Sequence, residues 1–425
     1  MSSTEDIHLL EKMARAAKSS AASLKTVTTS QKNSVLLYLA ELLDENRAEI
    51  RNINSEDVEN SENEGLSPAL LERLTITDKT IDGMIQSVLE IAALKDPVGG
   101  IIDGYTLPNG LKLQKTRVPI GVLAVIYESR PNVTIDVGAL GLKSSNAVIL
   151  RGGKEALQSN KFLTGLFQKA LTRFKLPSDA VALIEKTDRK LIEPLVKMSN
   201  FIDIIVPRGG EALIRTVSEH ATIPVIKHDK GVCHIFIDEH FDFQKSLDIV
   251  MNSKTQRPSV CNALESLLIH KNWPHTEPLL KALTDAGVTL HGDTMTIDNV
   301  KAEYSKIGIE PLLEEGYGQE YLSLDLSVKF VESTDDAIRH IQKYSSGHTE
   351  AILSDNYSHI ESFCNSLDSA ALLVNCSTRF HDGGQFGLGA EVGIATGKLH
   401  VRGPMGLNDL TTMQYIVQGT GQIRT

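Results

Sequence analysis

Aromatic residues are scarce: they make up 5% of the 425 positions, with a single tryptophan, Trp273. So few rings offer no base-stacking platform for a nucleic acid. Cysteine is scarce too. Cys233, Cys261, Cys364 and Cys376 lie 28, 103 and 12 residues apart, so no pair has the CxxC spacing of a zinc site or redox dithiol. A chain this long buries its core without disulfide staples, and free thiols in a reducing compartment are expected. There are 13 histidines, but no HExxH and no His/Cys cluster at ligand spacing, so no metal is expected. Positive charge is in deficit: 43 Lys and Arg against 54 Asp and Glu give a net charge of −11. That balance argues against a nucleic-acid or anionic-membrane partner, though not against a local basic pocket. No apolar run approaches the roughly 20 residues of a membrane span. The N-terminal MSSTEDIHLLEKMARAAKSS lacks the apolar stretch of a signal peptide, so a cytoplasmic location is expected. Neither a GxxxxGK[ST] loop nor a helix-opening GxGxxG occurs.

What remains is ordinary globular composition, 41% hydrophobic and 23% charged, in a length that suits two or three domains. Residues 1 to about 95 read as helices, with Leu36, Leu37, Leu39, Leu42 and Leu43 recurring at helical spacing. The acidic stretch 52–66 reads as a solvated helix or loop. Thr106-Leu-Pro-Asn-Gly110 is a turn signal between two alternating segments and predicts a hairpin over Ile101–Val118. Strands and helices then alternate. Strands are expected at Gly121–Tyr127, Ala147–Leu150, Ala180–Ile184, Phe201–Val206 and Ile223–Ile226, with helices at Ile135–Leu142 and Lys154–Phe174. This grammar predicts a parallel sheet covered by helices. A second α/β segment starts with a strand at Cys233–Ile237 and a helix at Phe243–Ser253 and runs to about Ala390. The tail contains a strand-like Met413–Val417, which is expected to pair with the hairpin or with a partner subunit.

Four stretches carry chemistry. In Gln256-Arg-Pro-Ser-Val-Cys261-Asn-Ala-Leu-Glu, Pro258 blocks a helix from upstream and the residues after Cys261 could begin a helical turn. A thiol there would have its thiolate favoured by the helix dipole and free N–H groups, with Arg257 adding positive charge. A small core cysteine is the competing reading. Tyr127-Glu-Ser-Arg-Pro-Asn132-Val-Thr leaves a strand and opens a helix, where open α/β sheets place ligands. Asn132 offers an amide to a developing oxyanion, or simply caps the helix. Arg151-Gly-Gly-Lys154 and Arg208-Gly-Gly210 both follow strands, and their amides and cations suit nucleotide phosphates. Gly384-Gln-Phe-Gly387-Leu-Gly389 fits no nucleotide fingerprint and reads as a tight turn. Just before it, Ser377-Thr-Arg379-Phe-His381-Asp holds the one histidine that stands among charged and glycine residues; an exposed loop is the alternative.

Taken together, YESRPNVT at 127–134, LRGGKEA at 150–156, RPSVCNALE at 257–265 and STRFHDGGQFGLGAEVGIATGKLHVRGPMGL at 377–407 resemble the aldehyde dehydrogenase superfamily. The resemblance covers nearly the whole chain. Within the superfamily it is to the acylating branch that reduces L-glutamyl 5-phosphate with NADPH, giving L-glutamate 5-semialdehyde and phosphate in the second step of proline biosynthesis. It implies an α/β fold with a Rossmann-type NADP-binding domain (residues 1–97 and 119–232) and an α/β catalytic domain (233–400). A small β oligomerisation element would come from the hairpin 98–118 and the tail 401–425. Cys261 is then implied as the nucleophile and Asn132 as the oxyanion-hole amide. Arg151 falls where the superfamily's lysine meets the adenine ribose. Glu320 resembles the glutamate on the nicotinamide ribose, although the usual phenylalanine-glycine after it is absent. Gly152, Gly153, Lys154, Arg208, Gly209 and Gly210 complete the cofactor-binding candidates. Arg257, Arg379 and His381 are the candidates for the anionic parts of the substrate. A homo-oligomer is implied, and the upstream glutamate 5-kinase is a candidate partner.

Two departures from the wider superfamily pattern refine this expectation. Hydrolytic members carry a glutamate base about one strand before the cysteine, whereas here residues 223–231 read IPVIKHDKG. Its absence favours transfer of the acyl group to phosphate over hydrolysis. NAD-preferring members often have an acid three residues beyond the ribose-binding lysine; this chain has Lys154 at that offset from Arg151, which favours NADP(H). An acyl-CoA-dependent dehydrogenase, a hydrolytic one and a catalytically silent scaffold are the alternatives.

Overall fold

In the computed structural model, which describes residues 4–227, 230–303 and 307–424, the chain divides into two compact units. The first contains Met1–His228, Gly387–Gly393 and Leu399–Thr425; the second contains Asp229–Phe386 and Ile394–Lys398.

The first unit opens with five helices: α1 (Thr4–Leu24), α2 (Thr29–Glu45), α3 (Arg47–Asn63), α4 (Pro68–Leu74) and α5 (Asp78–Ala93). The leucine spacing on α2 does what its period requires: Leu36, Leu39, Leu42 and Leu43 are buried, while Leu37 faces outward. Thr28 and Gln31 close a reciprocal capping box that starts this helix. The acidic stretch forms most of α3. Then come β1 (Ile101–Thr106) and β2 (Lys112–Pro119), followed by β3 (Val122–Tyr127), α6 (Asn132–Lys143), β4 (Ala147–Arg151), α7 (Leu157–Arg173), β5 (Val181–Leu183), α8 (Ile192–Leu195), β6 (Ile204–Arg208) and α9 (Glu211–His220). Every residue of β3 and β4 is buried, as expected for parallel strands covered on both faces. The helix expected from Lys154 starts as a 3₁₀ turn, Lys154–Ala156, before α7. The strand expected at Ile223–Ile226 does not form. Val225 makes one bridge to Ile205, and Pro224, lacking an N–H, cannot extend the ladder.

These strands form a four-stranded parallel sheet in the order β5-β4-β3-β6. The chain winds outward from β3 to β5, then returns to place β6 on the other side of β3. That reversal is a topological switch point, and ligands of such sheets bind beyond the carboxyl ends of the strands there.

In the second unit the elements in chain order are β7 (Cys233–Ile237), α10 (Phe243–Thr255), β8 (Leu264–His270), α11 (Thr276–Asp285), β9 (Thr289–Gly292), α12 (Thr294–Glu303), β10 (Glu310–Pro311), β11 (Asp325–Val331), α13 (Thr334–Tyr344), β12 (Thr349–Leu353), α14 (Tyr357–Ser366) and β13 (Ala371–Val374). They form a seven-stranded parallel sheet in the order β10-β9-β11-β8-β7-β12-β13. One apolar cluster, including Ile235, Leu267, Trp273 and Leu283, packs one side of it; Phe236, Leu268, Ile341 and Phe363 belong to another.

After two short strands, β14 (Ile394–Ala395) and β15 (Gly403–Pro404), the chain ends with β16 (Thr411–Gln418). It pairs antiparallel with β2 from Thr411 opposite Pro119 to Gln418 opposite Lys112. The result is a three-stranded sheet, β1-β2-β16, with open edges and Ile101, Tyr105, Met413, Tyr415 and Val417 exposed. Among the described residues, no helix is long and apolar enough to cross a membrane.

Candidate active site

At the switch point of the first unit, the turns after β3 and β6 lock together. The Glu128 N–H donates to the Arg208 carbonyl at 3.2 Å, and the Gly210 N–H donates to the Glu128 carboxylate at 2.9 Å. Gly210 is the N-cap of α9, so a carboxylate already rests on this helix's positive end. A Cβ at Gly209 would meet Glu128 Oε2 at 2.6 Å and Leu213 Cδ2 at 2.8 Å, so the ends of both side chains would have to shift. Ser129 has φ +39, a left-handed conformation unusual for serine. Glu155 holds it there, accepting from both its N–H and its hydroxyl at 2.7 and 2.8 Å.

Asn132 is not the helix cap: that position belongs to Pro131. Its amide instead donates to Asp136 one turn on, at 3.1 Å. The Asp136 carboxyl also accepts from the Ser87 hydroxyl at 2.7 Å. Burial pushes its pKa up, against the pull of Ser87, Asn132 and the Arg208 charge.

After β4, Arg151 is buried and donates through Nη2 to the Thr187 carbonyl at 3.0 Å. Among the described residues its Nε has no partner. Burial and the neighbouring Arg189 charge lower its pKa. Gly152 and Gly153 carry the chain from there to Lys154, which is exposed and ion-paired with Glu64 at 2.6 Å.

In the second unit, the loops entering neighbouring strands β11, β8 and β7 meet at the sheet's amino edge. Cys261 lies in the turn before β8, partly accessible. The helical start anticipated after it is not found: Leu264–His270 is a strand buried at every position, so no helix dipole acts on the thiol. Gly231, just before β7, packs so tightly that a Cβ there would lie 1.9 Å from the Cys261 carbonyl oxygen. The Gly231 N–H donates to Glu320 at 2.8 Å. One glycine therefore separates the Glu320 carboxylate from the Cys261 backbone.

Beneath this turn lies a buried Lys254–Glu265 pair at 2.8 Å. Glu265 also accepts from the Leu322 N–H, and Lys254 donates to the Leu264 carbonyl. The pair thus joins the helix before Cys261, the strand after it and the Glu320 loop. Burial pushes the Glu265 pKa up to about 7, opposed by Lys254, and burial lowers that of Lys254.

The remaining candidates separate. Arg379 donates to Gln256 at 2.9 Å; burial lowers its pKa, while Asp382 and Cys261 act to raise it and Arg257 to lower it. Arg379 therefore lies within electrostatic reach of both Cys261 and Arg257. His381 is buried, with Nδ1 bonded to Thr349 at 2.7 Å. Its carbonyl accepts from Asn262 at 3.0 Å, which ties its loop to the residue after Cys261. Cys233 is buried and donates its S–H to the Cys261 carbonyl at 3.1 Å; burial raises its pKa well above the ordinary thiol value. Ser87, Asp136, Gly231 and Glu265 escaped sequence reasoning. Asp136, four residues after Asn132, was within reach of an i,i+4 argument. Among the described residues no group of three His, Cys, Asp or Glu side chains could hold a metal.

The second unit thus carries a partly accessible cysteine at one sheet edge, and the first an asparagine at its switch point. The chain belongs to the aldehyde dehydrogenase family, whose pattern matches residues 3–299. It is 51% identical over 420 residues to gamma-glutamyl phosphate reductase of Leptospira interrogans, covering 99% of this chain and 100% of the relative. With the enzyme of that name from Aquifex aeolicus it shares 47% over 422 residues, covering 98% and 97%. The crystal structure of gamma-glutamyl phosphate reductase from Thermotoga maritima matches with a TM-score of 0.92 at 41% identity, covering 98% of this chain and 100% of that one. Within the family the chain therefore belongs with the gamma-glutamyl phosphate reductases.

Proposed function

We propose that this glutamate-5-semialdehyde dehydrogenase reduces L-glutamyl 5-phosphate with NADPH to L-glutamate 5-semialdehyde and phosphate, through a thioester on Cys261. The observation that carries the reading is the Cys261 turn, clamped by Gly231 and Cys233 beside Glu320, in a chain half identical to reductases of that name. Cys261 thiolate attacks the acyl phosphate carbonyl, the Asn132 amide donates to the developing oxyanion, and phosphate leaves. NADPH, when bound, would supply a hydride to the thioester carbonyl, leaving a thiohemiacetal on Cys261. That species expels Cys261 and releases the aldehyde.

Features of the first unit fit a phosphorylated dinucleotide. Among the described residues the buried Arg151 Nε has no partner, and the Gly210 amide at the head of α9 already holds a carboxylate. Arg151 through Lys154 and Arg208 through Gly210 are assigned to its phosphates and adenine ribose. Lys154 takes the 2′-phosphate and Glu320 the nicotinamide ribose. Arg257 and Arg379 are assigned to substrate anions. The first unit serves as the cofactor-binding domain and the second as the catalytic domain. The β1-β2-β16 sheet serves homo-oligomerisation, since open edges and exposed apolar side chains favour pairing with another copy. A cytoplasmic setting, downstream of a glutamate 5-kinase, completes the reading.

The sequence between Ile223 and Gly231 supplies no glutamate to activate a deacylating water; His228 and Asp229 within it lie outside the described residues. The acyl-enzyme must then await phosphate. Run in the oxidative direction, glutamate 5-semialdehyde with NADP⁺ should yield at most one NADPH per active site without phosphate. Phosphate should restore steady turnover, and arsenate should substitute for it. Sustained turnover without either anion overturns the acylating reading.

A further inference from the structure

Helix α6 is almost wholly inaccessible: Val133, Thr134, Ile135 and every residue from Val137 to Lys143 are buried. Only Asn132 and Asp136 keep contact with solvent. They stand one turn apart on the same face, joined by the 3.1 Å hydrogen bond from the Asn132 amide. Ser87, from α5, closes one side of this accessible spot by donating to the other carboxylate oxygen at 2.7 Å. Arg208 flanks another side. It acts on Asp136 through space, and its guanidinium runs so close to Gly393 that a Cβ there would lie 2.6 Å from Nη1.

Among the described residues Asp136 thus has two neutral donors and no direct ion pair, although burial already disfavours its charge. Two bonds leave about half of a carboxylate's acceptor capacity in use. A partly desolvated carboxylate without a direct counter-ion is costly unless a cation reaches it. The substrate of the proposed reaction carries one cation, the α-ammonium, whose nitrogen lies four bonds, or about 5 Å, from the reacting carbonyl carbon. Asn132, assigned to the oxyanion on that carbon, touches Asp136 directly. Amide and carboxylate are therefore spaced to receive the two ends of one short amino-acid chain.

We propose that Asp136 is a specificity-determining residue that receives the substrate's α-ammonium while it orients the Asn132 amide. The proposal rests on the reading of the reaction given above. It makes the enzyme selective for an α-amino acyl substrate over its desamino counterpart, with Ser87 fixing the carboxylate's rotation.

The test compares glutamate 5-semialdehyde with 5-oxopentanoate, the same chain without the amino group, in phosphate-dependent NADP⁺ reduction. Asp136→Asn keeps the shape and can keep the Ser87 contact while removing the charge. It should lower kcat/KM for glutamate 5-semialdehyde by about 10- to 100-fold, chiefly through KM, the size of a lost charged hydrogen bond. For 5-oxopentanoate, which lacks the ammonium, the loss should be at least about 10-fold smaller and confined to the cost of misorienting Asn132. Equal losses on both substrates would mean that Asp136 acts only by orienting Asn132, and no loss on either would mean that it does neither; each overturns the proposal. Should the variant fail to fold, inhibition of the unaltered enzyme decides. L-Glutamate binding at least about 10-fold tighter than glutarate supports the ammonium site, and equal binding overturns it. Absence of phosphate-dependent turnover in the unaltered enzyme is a different result: it overturns the reaction itself and this inference with it.

Discussion

Replacing Gly231 by alanine adds one methyl group at the tightest point of the catalytic turn. Its Cβ would lie 1.9 Å from the Cys261 carbonyl oxygen, 2.6 Å from its carbonyl carbon and 2.8 Å from its Cα. Ordinary contact begins near 3.4 Å, so about 1.5 Å must be opened between two stretches of backbone, neither of which has a flexible end to swing aside. The Gly231 N–H can still donate to the Glu320 carboxylate, because alanine keeps the backbone amide. The turn bearing Cys261 therefore has to move. Displacement of a reacting group by about 1 Å costs on the order of 10²-fold in rate. Gly231→Ala should lower kcat by about that factor, with an overpacking cost of about 1–3 kcal/mol in stability. Steady-state NADPH oxidation gives kcat, and urea denaturation gives the stability. Alkylation by iodoacetamide, mapped to the Cys261 peptide because Cys364 and Cys376 are also partly accessible, reports the thiol independently. A folded variant with kcat within about 3-fold of the parent and unchanged alkylation would refute the argument, because the backbone clash would have been absorbed without moving the thiol.

Cys261→Ser should abolish turnover and spare the fold, since a hydroxyl of high pKa cannot replace a thiolate; activity above a few per cent would move the nucleophile elsewhere. Cys233→Ser should keep most activity, because a serine hydroxyl can still donate to the Cys261 carbonyl; loss of turnover in a folded variant would give Cys233 a chemical role. Lys154→Glu should shift the NADPH/NADH preference in kcat/KM toward NADH by about 1–3 kcal/mol. The exposed Glu64 pair lost with it contributes little, and an unchanged ratio would place recognition of the 2′-phosphate elsewhere, with Arg208 next to be tested. His340 is buried beside His234 and Lys329, which lowers its pKa to about 2. The unfolded chain binds a proton there near 6.5 and the folded chain does not, so this contribution to stability is intact above pH 6.5 and shrinks as pH falls toward 2, by about 1.4 kcal/mol per unit. His340→Gln should therefore flatten the fall in urea stability between pH 7 and 5 by about 2 kcal/mol; parallel pH profiles would show that the histidine is protonated in the fold.

The sequence by itself determined whatever depends on near neighbours. Leucine spacing specified the buried face of α2, apolar runs marked β3, β4 and β7, and Pro-Asn-Gly within Leu107–Gly110 placed the hairpin turn, because each signal is local in the chain. The cysteine, the asparagine and the two glycine turns were legible as chemistry in the same way. The strand after Cys261 was missed because Leu264–His270 is buried on both faces and shows no strict alternation, and periodicity cannot separate a buried strand from a buried helix turn. His381 looked like a loop residue, but Thr349, 32 positions earlier, holds its ring. The edge that carries Cys261 was decided by tertiary structure alone. Gly231, Cys261 and Glu320 are 30 and 59 residues apart in sequence, and they meet because parallel strands β7, β8 and β11 lie side by side and all enter from one edge. Asp136 shows both limits at once: its i,i+4 spacing to Asn132 was written in the chain, but only the burial of every other residue on α6 singled the pair out.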